Sequence, residues 1–173
     1  MTHVHGIQLD LVLAWQDDSF AEPAVELSCS TAKKFGDSQP SNGILEGDLR
    51  VTLTTATIDR WFYCFGYDLS EFAEQLERFH RELAGQAEFT NQEGSVRVLL
   101  SMANRGKGRI AVGGEVELLH ETGHGDEPLS GLFKWPGGRF VFDGLVIDQS
   151  FVPALLQDIR SFLRDAGVSL LHY

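Results

Sequence analysis

One pattern occurs twice in this chain, 80 residues apart, and it limits what the rest can fold into. The first copy runs from Phe65 through Asp68-Leu69-Ser70-Glu71-Phe72 to Leu83. The second runs from Leu145 through Asp148-Gln149-Ser150-Phe151-Val152 to Leu163. In both, a β-like segment ends at Asp-x-Ser and gives way to apolar residues at helical spacing. Phe72, Leu76, Phe79 and Leu83 correspond to Val152, Leu156, Ile159 and Leu163. Such spacing puts each set on one face of an amphipathic helix, which must be buried against something.

What it is buried against is read from the alternating segments. Ile7, Leu9, Leu11, Leu13 and Trp15 alternate with Gln8, Asp10, Val12 and Ala14, giving a strand with one apolar face. Val25, Leu27 and Cys29 form a second strand, and Leu49, Val51 and Leu53 a third. Arg60 to Phe65 is apolar on both faces, which fits a central strand covered on both sides or an aromatic-lined groove. After the first helix come Ala87-Glu88-Phe89-Thr90, then Val96 to Met102. A return strand follows through Ile110, Val112, Val116 and Leu118, and then Arg139 to Phe142. Asp68 is expected to cap the first helix, with Glu71 completing a capping box and Gly85 closing it. Glu74–Arg78 and Glu77–Arg81 are i,i+4 pairs in the favourable order, so the outer face of that helix reads as self-paired. The second helix is expected to start near Asp148 or Ser150, with Pro153 tolerated in its first turn.

Strands, a helix, strands and a helix argue for an α+β fold. The expected architecture is an antiparallel twisted sheet or partial barrel made from two strand-strand-helix halves, with two amphipathic helices packed on it. The expected organisation is one domain over residues 1–173, with pseudo-repeat halves at about 1–85 and 86–167. Lys33 to Gly43 and Glu121 to Pro128 read as polar loops.

The net charge of −11 is unevenly spread. Residues 1–48 hold eight acidic and two basic side chains, and residues 111–148 hold seven acidic and two basic. Nucleic-acid binding needs clustered Lys and Arg, so it is not expected. The same charge is compatible with steering toward a basic protein partner, and equally with a role in solubility alone. No apolar run approaches the ~20 residues of a membrane span. The start, Met1-Thr2-His3-Val4-His5, lacks a basic stretch followed by an apolar one, and Cys29 and Cys64 are too few for a disulfide framework. A cytoplasmic protein is expected.

Tests for chemistry give little. His120, Glu121, His124 and Asp126 come nearest to a metal site. Glycine on both sides of His124 points to a loop, however, and His-Glu-x-x-His is missed by one residue. Gly106-Lys107-Gly108 lacks the spacing and the following Ser or Thr of a phosphate loop. Neither cysteine has a neighbouring cation to activate it. No catalytic residue, cofactor or metal is therefore expected. Paired acids remain: Glu46 with Asp48, and Glu115 with Glu117, each project from one strand face, an arrangement that suits general acid/base chemistry, an acidic stripe for a basic partner, or simply the wet face of a sheet.

Phe140-Val141-Phe142-Asp143-Gly144, then Ile147-Asp148-Gln149-Ser150-Phe151-Val152-Pro153 and the closing helix, resemble the WapI-type family of bacterial immunity proteins. The Asp68-Leu69-Ser70-Glu71-Phe72 helix and Gly85-Gln86-Ala87-Glu88-Phe89 add to the resemblance, which covers roughly residues 45–165. It implies a small, non-enzymatic protein that neutralises a cognate toxin domain by binding it. Two other functions are compatible with the residues alone. One is a small-ligand binder with an apolar cavity near Trp61, Tyr63 and Trp135. The other is a metal-dependent hydrolase built on His120 and His124.

Overall fold

The computed structural model describes residues 7–16, 21–31, 43–103, 108–118 and 138–167. Among these described residues, eight strands and two α-helices follow one another as two similar runs. The first is β1 (Gln8–Trp15), β2 (Pro23–Thr31), β3 (Ile44–Leu53), β4 (Ala56–Phe65) and α1 (Gly66–Glu82). The second is β5 (Gln86–Thr90), β6 (Val96–Met102), β7 (Arg109–Glu117), β8 (Arg139–Asp148) and α2 (Val152–Asp165). All neighbouring strands are antiparallel, in the order β4-β3-β2-β1-β8-β7-β6-β5. The α+β sheet with two helices packed on it is thus the observed architecture, and the sheet does not close fully into a barrel.

Two seams divide the halves. At one, β1 meets β8 through the single pair Trp15–Val146. At the other, the outer edges of β4 and β5 approach each other without a ladder. Asn91, just past β5 and 1 % exposed, spans this second seam. Its amide Nδ2 donates to the Tyr63 carbonyl at 3.2 Å and to Ser95 Oγ at 3.0 Å, while its Oδ1 accepts from the Val96 N–H at 2.9 Å. Phe62 and Phe89 meet beneath it with ring centroids 5.9 Å apart. Gly47 makes room for this contact, because a side chain there would run into the ring of Phe62, its cross-strand partner.

Alternation explains most of the core. Leu9, Leu11 and Leu13 of β1, Leu27 and Cys29 of β2, and Leu45, Leu49 and Val51 of β3 are buried on one side of the sheet. Val98, Leu100, Ile110 and Val112 continue that layer. The helices cover it. α1 buries Leu69, Phe72, Ala73, Leu76 and Phe79, and α2 buries Val152, Leu155, Leu156, Ile159, Phe162 and Leu163. The helices also pack on each other, and all these side chains belong to one core cluster. No helix among the described residues is long and apolar enough to cross a membrane.

Several local expectations need correcting. Arg60 to Phe65 is not a central strand covered on both sides, because β4 is the edge of the sheet. The residues of β1 do not keep one face to the end. A register shift between Val12 and Ala14 brings Ala14 into the core, and Trp15 drops out of the buried stripe. Asp68 is not the N-cap. The helix begins earlier, with Phe65 in an extended conformation at that position, and Asp68 in its third turn-forming place accepts the Phe65 N–H at 2.8 Å. Leu83 takes a left-handed conformation (φ 49°) as the helix ends, so it is 50 % exposed where Leu163 is buried. Neither expected i,i+4 pair forms: Glu77 binds Arg160 of α2 at 2.7 Å, an ion pair between the two helices, and Arg81 binds Glu82 at 3.2 Å. The second helix entry is as expected. Asp148 accepts the Ser150 N–H at 2.8 Å, a 3-10 turn (Gln149–Phe151) follows, and Pro153 sits in the first turn of α2.

Asn91→Ala leaves the Tyr63 carbonyl and the Val96 N–H without this partner in a buried place. It is expected to cost about 2–4 kcal/mol in urea unfolding, since each stranded buried polar group costs about 1–3 kcal/mol. A loss below about 0.5 kcal/mol would show that the seam does not depend on it.

Burial pushes the Asp68 carboxyl above its ordinary range, against the opposing pull of the Phe65 N–H, and neighbouring Glu71 adds to the rise. A folded-state pKa above the unfolded one gives a contribution that is full below the unfolded value and is lost as pH rises through the folded value. Asp68→Asn keeps an acceptor for the Phe65 N–H and removes the buried charge. Unfolding measured across a pH series should therefore lose part of its decline in that window, and an unchanged slope would contradict the assignment.

Candidate functional site: the outer face of β1 to β4

The side of the sheet away from the helices carries the residues that alternate with the core. In the first half, cross-strand register sorts them into rows. Tyr63 of β4 lies opposite Glu46 of β3, which lies opposite Ser30 of β2 and then Gln8 of β1. The next row is Trp61, Asp48, Ser28 and Asp10, and the third is Asp59, Arg50, Glu26 and Val12. Directly opposed side chains have Cβ atoms about 4.5–5.5 Å apart, so each row is a set of contacting neighbours. Among these residues Asp10, Glu26, Glu46, Asp48 and Asp59 are acidic and Arg50 alone is basic.

Arg50 Nε bonds Asp59 Oδ1 at 2.6 Å, which raises the guanidinium pKa through the hydrogen bond and the carboxylate charge. Asp10 accepts from Gln8 Nε2 at 2.9 and 3.1 Å. Neither Glu46 nor Asp48 has an ion-pair partner among the described residues. The centre of the face is small and polar, with Ser28 and Ser30 between the acids.

Its outer margin is aromatic. Trp61, Tyr63 and Phe65 share the outward side of β4, and Tyr67 follows in the first turn of α1. Trp61 and Tyr63 meet edge to face at 4.4 Å, and Phe65 stacks on Tyr67 at 5.2 Å. Trp61 is 49 % exposed, Tyr63 37 % and Tyr67 53 %. An edge strand that points such rings outward is uncommon, because exposed edges are usually blunted by charge or covered. Here the rings also stand beside carboxylates, with Asp48 across from Trp61 and Glu46 across from Tyr63.

The second half presents a different surface. Arg97 Nη2 binds Glu88 at 2.9 Å and its Nη1 lies 3.9 Å from Glu115, while Arg139 Nη1 approaches both Glu115 oxygens at 3.5 Å. Glu117 lies opposite Arg139 in the register. The four sequence-predicted acids are therefore divided. Glu46 and Asp48 stand together on β3, whereas Glu115 and Glu117 stand on β7, four strands away, with arginines against them. Spacing between neighbouring strands of ~4.8 Å puts the two sets roughly 19 Å apart along the sheet.

The aromatic margin is what the sequence reading misplaced. Trp61 and Tyr63 face outward and do not line an apolar cavity in the core; Trp135 lies outside the described residues. So do His120, Glu121, His124, Asp126, Gly106 and Lys107. Among the described residues no group of three or more His, Cys, Asp or Glu could hold a metal ion. Cys29 and Cys64 are both free and buried. Burial and a hydrogen bond with Cys64 raise the Cys29 thiol well above its ordinary value, the hydrogen bond contributing most, so it is not an activated nucleophile.

The model of the immunity protein WapI-like family matches residues 22–167, which takes in every element from β2 to α2. This chain belongs to the WapI-like family. The match reaches further toward the start than the motifs that carry the resemblance, and β1 alone among the strands lies outside it. No curated protein and no solved structure matches the chain. Family membership places this WapI-like chain in an immunity-protein class.

Arg50→Ala is expected to leave unfolding stability nearly unchanged, because both partners of the Asp59 pair are more than half exposed and solvent screens them. It also strips the face of its basic residue, so a larger loss would mean that Arg50 holds β3 and β4 together.

Proposed function

We propose that this WapI-like protein is a non-enzymatic immunity protein that binds a cognate polymorphic toxin domain and neutralises it. The observation that carries this reading is the family match over residues 22–167. The toxin partner is proposed to be basic, and the site of action to be the cytoplasm. Support for a basic partner comes from the chain's net charge of −11 and from the placement of unpaired acids on one face of β1 to β4. Opposite charge on two partners accelerates encounter and sets orientation, more than it adds raw affinity. Of the four acids singled out by sequence, Glu46 and Asp48 are proposed as the stronger steering pair. Glu115 and Glu117 face arginines of their own chain and contribute less field.

The decisive experiment takes as candidate toxin the C-terminal domain of any large secreted protein encoded beside this gene. Co-expression with this chain should restore growth to cells making that domain, and the purified proteins should form a stable complex. No rescue and no complex would overturn the reading. With binding established, Glu46→Lys with Asp48→Lys should slow association by about tenfold at low salt, an effect that shrinks as salt rises. Glu115→Lys should slow it less. A larger effect at Glu115 than at the Glu46–Asp48 pair would move the steering surface to the other half.

A further inference from the structure

We propose that the outer face of β3 and β4 is an arginine-reading surface, on which a guanidinium from the partner protein stacks on Trp61 and is held by Asp48 and Glu46. This rests on the immunity reading for the identity of the partner, but the chemistry of the surface is independent of it.

Three observations converge on this place. Trp61 and Tyr63 are large, exposed and mutually packed, so the site is preformed and loses little side-chain freedom when it is covered. Tryptophan offers the strongest aromatic face for a cation, within about 6 Å of the ring centroid. Carboxylates stand in the right positions to finish the job. Asp48 is the cross-strand neighbour of Trp61, Glu46 is that of Tyr63, and Asp59 lies two residues before Trp61 on the same side of β4. The chain already holds one guanidinium on this face, since Arg50 Nε sits 2.6 Å from Asp59. Glu46 and Asp48 remain for a second.

Arginine fits better than lysine. Its planar guanidinium can lie against a ring while its N–H fork reaches carboxylates at the side, whereas an ammonium is a strongly hydrated point charge. Interfaces draw most of their energy from buried Trp, Tyr and Arg, and this surface supplies the first two. Other occupants fit less well. A second copy would bring the same acids against these in an isologous contact. Nucleic acid and anionic lipid would meet five carboxylates and one arginine. Because the rings project from the outer face of β4, away from the helices, a protein partner can reach them from above.

The test has two arms. In the first, hexa-arginine and hexa-lysine peptides are titrated into the full chain by calorimetry, and the tryptophan indole NMR signal that disappears in Trp61→Phe reports whether the contact is at Trp61. The arginine peptide should bind at least about 5-fold more tightly, and Trp61→Ala should abolish the preference. Equal affinities, or a preference that survives Trp61→Ala, would overturn the proposal. In the second arm the neighbouring toxin domain is the probe. Trp61→Ala should weaken its binding by about 30-fold, as for an interface hot spot, and Val141→Ala on the other half should leave it unchanged. Trp61 is half exposed, so the variant is expected to fold, and circular dichroism checks this. Toxin binding that ignores Trp61→Ala would overturn this surface and leave the immunity reading intact. An arginine preference with no toxin binding would do the reverse. Self-association lost in Trp61→Ala would reassign the face to a homodimer and overturn the proposal.

Discussion

A sheet of eight twisted strands has to finish somewhere, and how its edges are treated governs much of this molecule. Nearly closed into a barrel, it stops one ladder short. Asn91 supplies the missing connection with a side chain instead of a strand, giving two protons and taking one in a place where water does not reach. The β5 edge has its own cover, because Gln75 of α1 accepts the Glu88 N–H at 2.9 Å. Each device satisfies backbone groups that burial would otherwise leave stranded. Edge protection is therefore uneven. One edge is shielded by a helix, while the other is held only near its end and keeps its rings toward solvent.

That unevenness links architecture to function. A strand within the sheet can show only one pleated face to the outside, and its neighbours crowd it on both sides. β4 has no laddered strand on its outer flank, so the rings on its outer face have cross-strand neighbours on one side only. The helices occupy the opposite side of the sheet and hold the backbone from which those rings project. Rigid support with exposed aromatics and fixed carboxylates is the combination that protein interfaces use for tight and selective contact. In the other half, arginines and glutamates answer one another within the chain, and less is left over for a partner.

Much of this was legible from residue order. Period-two alternation placed most inward side chains correctly, because a strand has only two faces and one of them must be apolar here. The two helices were visible through their repeated apolar spacing, and the entry to α2 at Asp148 followed from short-range chemistry. Errors arose where the deciding contact is distant in sequence. Arg60 to Phe65 is apolar on both sides whether it is central or at an edge, so its rings carried no signal of exposure. Trp15 continued an unbroken alternation that a one-residue bulge interrupts. Leu83 matched Leu163 in position, yet the chain turns left-handed at one and continues as helix at the other. For the proposed binding face, Glu46 and Asp48 could be named from spacing. Their proximity to Trp61, and the arginines that meet Glu115, depended on strand pairing that no local pattern specifies.

The single pair joining β1 to β8 also has a bearing on how the chain is built. Within each half, nearly all pairing is between successive strands, and such local contacts form early and cheaply. β1 and β8 belong to opposite ends of the described sequence, so during synthesis the first meander stands without its final neighbour and without α2. Until α2 leaves the ribosome, Leu9, Leu11 and Leu13 have no complete cover. The first meander thus waits on the synthesis of α2, and a chain interrupted before it is a sticky one.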